Sequence, residues 1–336
     1  MKVYQVQDDF GIDNLRAVER EARSPGPGEV RIRVRASSLN FRDLMTVQGS
    51  YNPRQKLPLV PLSDGAGEVL EVGEGVTRVA AGDHVAGIFA QKWLAGGAEQ
   101  APRGSTLGGP NDGMLAQEVV LHEDGVVKLP AHLSFEEAAT LPCAGVTAWN
   151  ALVTGGGIKA GDTVLLLGTG GVSIFGLQFS GLCGARAIVT SSSDGKLERA
   201  RELGAWQTIN YRQNEQWHKR VQELTDGRGV DHVVEVGGAG TLMKSLGSVR
   251  VGGTVTMIGV LSGVSTELDV RALLMRSVRL QGLFVGSRAM FEDMNAAIDH
   301  QGMRPVIDRV FDFEQAPDAF RYMGEGQHFG KIVIRH

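Results

Sequence analysis

The chain has 336 residues, enough for two domains of ordinary size, and 42% of them are hydrophobic while 21% are charged. The formal net charge of -4 leaves no broad basic surface, so nucleic acid is not an expected partner. No apolar run approaches the length that spans a bilayer, and the N-terminus resembles a strand rather than a signal peptide. The two cysteines form no CxxC pair, which excludes both a disulfide framework and a structural zinc site of that type. We therefore expect a cytoplasmic protein that is not bound to membranes.

The first third of the chain alternates apolar and charged residues in steps of two. Residues 29–35 place valine and isoleucine on one face and charges on the other, which is typical of a half-buried antiparallel strand. The pattern returns at residues 68–72 and 83–87, with glycines between the runs. Residues 91–113 are rich in glycine and have little periodicity, which predicts a long loop. Residues 1–123 are therefore predicted to form a mainly β domain.

From about residue 125 onward, short apolar runs alternate with helical patterns. Continuous apolar strands separated by helices predict a parallel sheet that is covered on both faces, and six of them match a doubly wound α/β Rossmann domain. We place this domain at residues 124–286. Residues 287–336 are too few for a further domain and are predicted to complete the N-terminal one. The predicted strands are Thr163–Leu167, Arg186–Thr190, Thr208–Ile209, His232–Val236, Val255–Val260 and Leu280–Val285.

A glycine-rich turn joins the first of these strands to the following helix. Residues 168–173 read GTGGVS, in which the first glycine permits a tight turn and the second lets the backbone approach a pyrophosphate. Amides at the start of the helix then point at the anion. Ser173 stands where the strict fingerprint has glycine or alanine, but the position between strand and helix still predicts a dinucleotide site. The predicted contacts in this turn are Gly168, Gly170, Gly171 and Val172.

The end of the second predicted strand bears on the choice between NAD and NADP. An acidic residue there would hydrogen-bond the ribose hydroxyls of NAD. This chain has Ser191 and Ser192 instead, and Lys196 is able to supply positive charge to a 2′-phosphate. Asp194 is the competing acid, but it lies past the strand end and fits the N-cap of a helix that begins at Lys196. The pattern favours NADPH, and a solvated lysine at position 196 is the alternative.

Four further segments carry residue combinations that are specific when they occur together. They are SLNFRDL at 38–44, PLSDGAGE at 61–68, LPCAGVTAW at 141–149 and GKIVI at 330–334. With the glycine turn, they resemble the medium-chain dehydrogenase/reductase superfamily over nearly the whole chain. The resemblance implies that the mainly β domain is a GroES-like catalytic domain. It also implies a homodimer joined through sheet edges at Leu280–Val285.

In the zinc alcohol dehydrogenases of that superfamily, a cysteine, a histidine and a second cysteine hold the catalytic metal. The resemblance places Asn40 or its neighbours, Ser63 and Cys143 at these positions, and one thiolate cannot hold Zn²⁺ in a tetrahedral site. It thus implies the zinc-independent branch, which includes quinone oxidoreductases and enone reductases. Without a Lewis acid, reduction of an activated acceptor is chemically simpler than oxidation of an alcohol.

The resemblance also suggests residues for the substrate and the cofactor. Asn40 is expected to donate to a carbonyl oxygen or the ribose, and Tyr51 to donate a proton or stack on the acceptor. Supporting roles in a turn and at the rim are the alternatives. Asp43 is a further catalytic candidate with a structural alternative. Ser63 and Asp64 are expected to line the substrate cleft, although Asp64 could be a buried carboxylate with a basic partner. The remaining predicted cofactor contacts, mostly at strand ends, are Thr147, Tyr211, Gly237, Gly259, Val260, Phe284 and Val285.

Three functions remain open from the sequence. The first is a zinc-independent, NADPH-dependent oxidoreductase that reduces quinones, enones or related activated carbonyls. The second is an NADP-dependent alcohol dehydrogenase that acts without metal. The third is a non-catalytic NADPH-binding or RNA-associated regulator, although the acidic chain without a basic stripe disfavours RNA binding. The expected partner is therefore a small molecule and not nucleic acid.

Overall fold

The computed structural model describes residues 1–336, except for the side chain of Arg103. Strands and α-helices are labelled in chain order. The strands are β1 Lys2–Val6, β2 Leu15–Glu19, β3 Glu29–Leu39, β4 Asp64–Val72, β5 His84–Gly87, β6 Glu118–His122, β7 Val126–Lys128, β8 Thr163–Leu167, β9 Arg186–Ser191, β10 Gln207–Asn210, β11 Val230–Glu235, β12 Val249–Met257, β13 Arg279–Gly282, β14 Ile307–Asp312 and β15 Lys331–Arg335. The helices are α1 Phe41–Val47, α2 Phe135–Ala138, α3 Val146–Trp149, α4 Gly171–Leu182, α5 Asp194–Glu202, α6 Trp217–Leu224, α7 Leu242–Ser248, α8 Arg271–Leu274, α9 Arg288–Gln301 and α10 Ala316–Glu325.

The chain forms two compact units. The first comprises Met1–Val146 together with Val285–His336, and the second comprises Thr147–Phe284. The predicted division at residues 123 and 124 lies earlier than this one. The difference arises because β7 pairs with β5 in the sheet of the first unit, which keeps the chain there beyond residue 124.

The first unit is built on a sheet of order β14-β15-β3-β4-β5-β7, with β6 also paired to β3. Strand β3 alternates buried and more exposed residues in its first part, as its sequence predicts, and then becomes buried on both faces at Ala36–Leu39. In the antiparallel pair of β15 with β3, Ile332 lies opposite Leu39. This register brings the start of β15 next to the end of β3, although the two are far apart in the chain.

The second unit contains the predicted doubly wound sheet. Its six strands are parallel and follow the order β10-β9-β8-β11-β12-β13. All residues of β8 are buried, which agrees with a continuous apolar strand inside a covered sheet. The chain direction across the sheet reverses between β8 and β11, so the topological switch point lies at their carboxyl ends.

Three strands of this sheet end earlier than the sequence predicts. Strand β11 stops at Glu235 instead of Val236, and β12 and β13 stop at Met257 and Gly282, whereas their apolar runs continue to 260 and 285. Met257 pairs with Glu235 on one side and with Gly282 on the other, and these are the last pairs of the two ladders. Residues 258–260 and 283–285 therefore belong to loops at the carboxyl edge of the sheet.

The longest described α-helix, α9, has 14 residues. Within the described chain, no helix combines the length and the apolar character that crossing a membrane requires.

Candidate functional site

The glycine turn leads from β8 into α4. Gly168 has a φ of 74°, a conformation that favours glycine. Gly170 is the N-cap of α4 with a φ of -77°, which any residue adopts, and a Cβ built on it would meet no atom within 4 Å. Gly170 is therefore not needed to avoid a clash with other atoms, because the place of its side chain is open space. The hydroxyl of Ser173 donates to the carbonyl of Leu167 at 2.7 Å, so serine closes the helix onto the strand end. The turn fits a pyrophosphate.

The ends of β9 and β10 lie side by side. Ser191 ends β9, and its backbone carbonyl accepts a hydrogen bond from the amide of Tyr211 at 3.0 Å. Ser191 is buried and Ser192 is half-buried, whereas the Tyr211 side chain is exposed. The predicted residues Ser191, Ser192 and Tyr211 therefore occur together at one edge of the sheet.

Helix α5 begins at Asp194, and its N-cap lies one residue earlier than predicted. Ser193 is the N-cap, and its hydroxyl accepts from the backbone amide of Lys196 at 3.4 Å. Asp194 is the first helical residue, so its predicted role as N-cap is wrong. Its carboxylate instead accepts from the side-chain amides of Asn210 at 2.7 Å and Gln213 at 3.1 Å. Two side-chain amides, one at the end of β10 and one just after it, thus hydrogen-bond Asp194, the acid that would otherwise favour NAD.

A buried glutamate organises the loop after β11. Glu235 is completely buried, and one of its carboxylate oxygens accepts from the backbone amides of Gly237 at 2.8 Å and Gly238 at 3.0 Å. The same oxygen accepts from the hydroxyl of Thr241 at 2.6 Å, and the other accepts from the hydroxyl of Ser245. The charge-assisted hydrogen bonds hold the loop of Gly237, a predicted cofactor contact.

The loop after β12 packs closely on the loop after β11. A Cβ on Gly259 would lie 2.4 Å from the carbonyl oxygen of Val236, so only glycine permits this approach. The amide of Ser262 donates to the carbonyl of Gly237 at 2.6 Å. Val260 lies between these contacts with an exposed side chain. Gly237, Gly259 and Val260 therefore share one edge of the second unit, as the strand-end argument predicts.

The other predicted cofactor residues have different surroundings. Thr147 is buried on α3, and Phe284 is half-buried in the loop after β13. Val285 is buried in the first unit and has a φ of 32°, an uncommon conformation for a β-branched residue.

A polar network lies where β3 ends and where β4 and β15 begin. The ammonium of Lys331 donates to the side-chain oxygen of Asn40 and to the carbonyl of Leu39, each at 2.6 Å. The hydroxyl of Ser63 donates to Asp64 at 2.7 Å and lies 3.5 Å from the amide nitrogen of Asn40. Asn40 is half-buried, whereas the side chains of Ser63, Asp64 and Lys331 are at most 3% exposed. Asn40 is thus the accessible member of this network.

Burial dominates the electrostatics of the network. It raises the pKa of Asp64 to about 6, against the attraction of Lys331, whose ammonium lies 4.0 Å from the carboxylate. Burial also lowers the pKa of Lys331, while Asp64 opposes that shift. Asp64 is therefore a buried carboxylate with a basic partner, the alternative that the sequence left open. Ser63 and Asp64 do not reach solvent, so neither is able to line the predicted substrate cleft. Within this network, only Asn40 is accessible to a substrate.

Asp43 and Arg42 support this region from α1. Asp43 is completely buried, and its carboxylate accepts from the backbone amide of Asn40 at 2.8 Å. Burial raises the pKa of Asp43, and Arg42 opposes the rise. The guanidinium of Arg42 donates to the carbonyls of Leu107 at 3.0 Å and Gly109 at 3.2 Å. This geometry places Asp43 as a support of the Asn40 backbone.

Tyr51 stands beside Arg42 at the surface of the first unit. The guanidinium lies 5.1 Å from the centre of the Tyr51 ring, within the range of a cation–π contact. The Tyr51 side chain is 46% exposed, so it is accessible to a ligand and also fits a rim aromatic.

The positions that match metal ligands carry few ligating groups. Asn40 and Ser63 have neutral side chains, and burial raises the pKa of the Cys143 thiol. The backbone amide of Cys143 donates to Asp64 at 3.1 Å. In the part of the chain that the structure describes, no group of three His, Cys, Asp or Glu residues could hold a metal ion.

Three residues of these sites were not singled out from the sequence. Glu235 ends an apolar strand, and an acid at that position was a readable signal. Lys331 lies within the quoted GKIVI segment, but nothing local indicates that its ammonium is buried. Arg42 lies within SLNFRDL, and its contacts with residues 107 and 109 depend on the tertiary fold.

Comparisons with known proteins agree with this architecture. The sequence model of the zinc-binding dehydrogenase family matches residues 171–300, and that of the alcohol dehydrogenase GroES-like domain matches residues 26–131. A zinc-type alcohol dehydrogenase-like protein of Schizosaccharomyces pombe is 43% identical over 99% of this chain and 98% of its own. A quinone oxidoreductase of Pseudomonas aeruginosa is 32% identical over 96% of each chain. The crystal structure of an NAD-dependent alcohol dehydrogenase superposes with a TM-score of 0.91 at 33% identity, covering 100% of both chains.

Proposed function

Because the chain belongs to the medium-chain dehydrogenase/reductase superfamily, we propose that it is a zinc-independent oxidoreductase that uses NADPH to reduce quinones, enones or related activated carbonyls. One observation carries the proposal. At the three positions that the resemblance assigns to metal ligands, Asn40 and Ser63 are hydrogen-bonding groups of one network, and only Cys143 has a ligating side chain.

The turn at 168–173 would hold the pyrophosphate, and the ends of β9 and β10 would hold the adenosine ribose. NADPH, when bound, supplies a hydride. Ser191, Ser192 and Lys196 would surround the 2′-phosphate with hydroxyls and positive charge. The engagement of Asp194 by Asn210 and Gln213 supports this assignment, because an acid pointing at the ribose would repel a phosphate.

On the substrate side, Asn40 would donate a side-chain N–H to the carbonyl oxygen. A neutral donor fixed in place stabilises the negative charge that an enolate or a hydroquinone anion develops on oxygen. Tyr51 would stack on the acceptor or give up a proton. Asp43, Ser63 and Asp64 would hold Asn40 from behind.

Oxidation of an alcohol with NADP⁺, without metal, is the second candidate. The relatives at 43% and 33% identity are a zinc-type alcohol dehydrogenase-like protein and an NAD-dependent alcohol dehydrogenase, which favours an alcohol substrate but neither NADP⁺ nor a metal-free reaction. Without a Lewis acid, a protein group would have to accept the hydroxyl proton. A non-catalytic NADPH-binding protein is the third candidate.

Initial rates with the purified protein distinguish these candidates. We expect NADPH oxidation with quinones and enones, slower turnover with simple ketones, and little reduction of NADP⁺ by primary and secondary alcohols. Fluorescence titration should give a lower Kd for NADPH than for NADH. Elemental analysis of the same sample should find no stoichiometric zinc.

Each result that differs removes a specific part of the proposal. Stoichiometric zinc would contradict the zinc-independent mechanism, and tighter binding of NADH would contradict the role of Ser191, Ser192 and Lys196. Faster turnover with alcohols would favour the second candidate. Tight NADPH binding without turnover of any acceptor would favour the third.

A further inference from the structure

We infer that Lys331 is a positioning residue that fixes the orientation of the Asn40 side-chain amide, so that Asn40 presents an N–H donor rather than its oxygen. The inference rests on the proposed function, in which that donor faces a developing oxyanion. The observation behind it is the 2.6 Å contact between the Lys331 ammonium and one end of the Asn40 amide.

The ammonium of Lys331 determines which end of the Asn40 amide faces it. A lysine ammonium has three donors and no acceptor, so the atom that faces it must be the amide oxygen of Asn40. Lys331 is 3% exposed, and its second hydrogen bond ends on the carbonyl of Leu39, which is also an acceptor. An amide turned by 180° would place two N–H groups against a buried cation. The ammonium of Lys331 therefore determines which end of the Asn40 side-chain amide carries the oxygen.

The opposite end of the Asn40 amide faces Ser63. The hydroxyl of Ser63 gives its proton to Asp64 at 2.7 Å, so its oxygen is left to accept from the amide nitrogen of Asn40 at 3.5 Å. Asp64 is held in turn by the backbone amide of Cys143 at 3.1 Å. Hydrogen bonds therefore run in one direction, from Lys331 through Asn40 and Ser63 to Asp64.

The amide nitrogen of Asn40 is the part of the network that a ligand is able to reach. The amide nitrogen of Asn40 has two hydrogens, and its partners are the Ser63 hydroxyl at 3.5 Å and the Asp64 carboxylate, whose pKa the amide helps to lower. The bond to Ser63 is long and therefore weak, so a ligand oxygen at Asn40, the half-buried member of an otherwise buried network, is able to take that N–H. A cation at the oxygen end also polarises the amide, which strengthens its N–H as a donor. A flipped Asn40 would instead turn its oxygen toward an oxyanion and repel it.

Four variants test this role in the full-length protein. In Lys331→Met the stem remains but no donor reaches Asn40, and in Lys331→Gln a side-chain amide is still able to donate. Asn40→Asp keeps an acceptor for Lys331 but has no N–H donor. Arg335→Gln, in the same strand but with an exposed side chain that pairs with Glu136, is the matched control.

We expect Lys331→Met to lower kcat with NADPH and an enone by about ten- to a hundredfold, somewhat less than direct loss of an oxyanion donor. The KM for NADPH should stay unchanged. Lys331→Gln should recover part of the loss, Asn40→Asp should lose at least as much as Lys331→Met, and Arg335→Gln should match the wild type. Adding Lys331→Met to Asn40→Asp should cause no further loss, because the group that Lys331 positions is already absent. Multiplicative losses in the double variant, or a Lys331→Met protein with wild-type kcat, would overturn the inference.

A second measurement does not depend on activity. Urea unfolding of Lys331→Met, Asn40→Leu and the double variant should show a coupling between the two residues, whereas additive effects on stability would contradict the contact. Wild-type protein that turns over no acceptor would contradict the proposed function alone. The stability cycle would then decide whether Lys331 orients Asn40. If Lys331→Met does not fold, Lys331→Gln takes its place in both cycles.

Discussion

At the scale of single residues, Gly168 and Gly170 have different reasons to be glycine. Gly168 has a positive φ, so a side chain there would strain the backbone. Gly170 has ordinary angles and open space around its missing Cβ, so neither strain nor crowding among the described atoms explains it. A ligand that approaches the backbone would explain it, because in the proposed cofactor site a side chain would occupy the place of the pyrophosphate.

Replacing Gly170 should therefore separate binding from folding. Threonine caps helices about as well as glycine, so Gly170→Thr should change the free energy of unfolding by less than about 1 kcal/mol. Its side chain should raise the Kd for NADPH by about tenfold or more, a cost of at least about 1.4 kcal/mol. Gly181→Ala, in the same helix and also without atoms near its Cβ, is the control and should bind as the wild type does. Unchanged NADPH affinity in Gly170→Thr would place the cofactor elsewhere.

At the scale of elements, the carboxyl edge of the Rossmann sheet depends on Glu235. The strand β11 ends in this buried carboxylate, which gathers two backbone amides and two hydroxyls from the next ten residues. The loop that follows is in turn bonded to the loop after β12 through Ser262. One side chain thus supports two loops that we expect to contact the cofactor.

Glu235→Gln tests this support. The amide group of glutamine has a single acceptor oxygen, so buried donors would lose their partner, and we expect unfolding to become easier by about 1–3 kcal/mol. NADPH should also bind more weakly, because the loop of Gly237 is released. Urea denaturation and fluorescence titration measure the two effects. The exposed Glu267 provides a control, since Glu267→Gln should stay within about 0.5 kcal/mol of the wild type. A Glu235→Gln protein as stable as the wild type would contradict the role of the carboxylate.

At the scale of the whole molecule, the Rossmann sheet ends in β13, which has no neighbour on its outer side within the described chain. An unpaired edge strand beside exposed apolar side chains is typical of a surface that another chain covers. In the segment between β12 and β13, five large apolar residues are more than half exposed. They are Leu261, Val264, Val270, Leu274 and Met275, each at least 56% exposed.

We expect two copies to associate through this edge, as the superfamily resemblance also implies. Light scattering coupled to size-exclusion chromatography should then give twice the chain mass of 35.9 kDa. The double variant Leu274→Glu, Met275→Glu should shift the protein to the single-chain mass, because it would bury two charges on association. Leu203→Glu, near the opposite side of the sheet, should leave the mass unchanged. A wild-type protein with the single-chain mass would refute the expected dimer.

The sequence by itself determined the alternation of six apolar runs with helices, the glycine turn between β8 and α4 and the mainly β character of the N-terminal region. These are local properties, because apolar periodicity and glycine at a strand–helix junction act over a few residues. The same local signal misplaced the ends of β12 and β13. Apolar residues such as Ile258 and Phe284 continue beyond the sheet, and only the pairing with neighbouring strands, which ends at Met257 and Gly282, shows where the two strands stop.

Only the tertiary structure decided which polar residues act together. Lys331 and Asn40 are 291 positions apart, and the register between β15 and β3 brings them into contact. Burial then disfavours the charged forms of the ionisable groups in this network, since it lowers the pKa of Lys331 and raises the pKa of Asp64. Strand register and desolvation depend on the whole packed chain, so no window of sequence reports them.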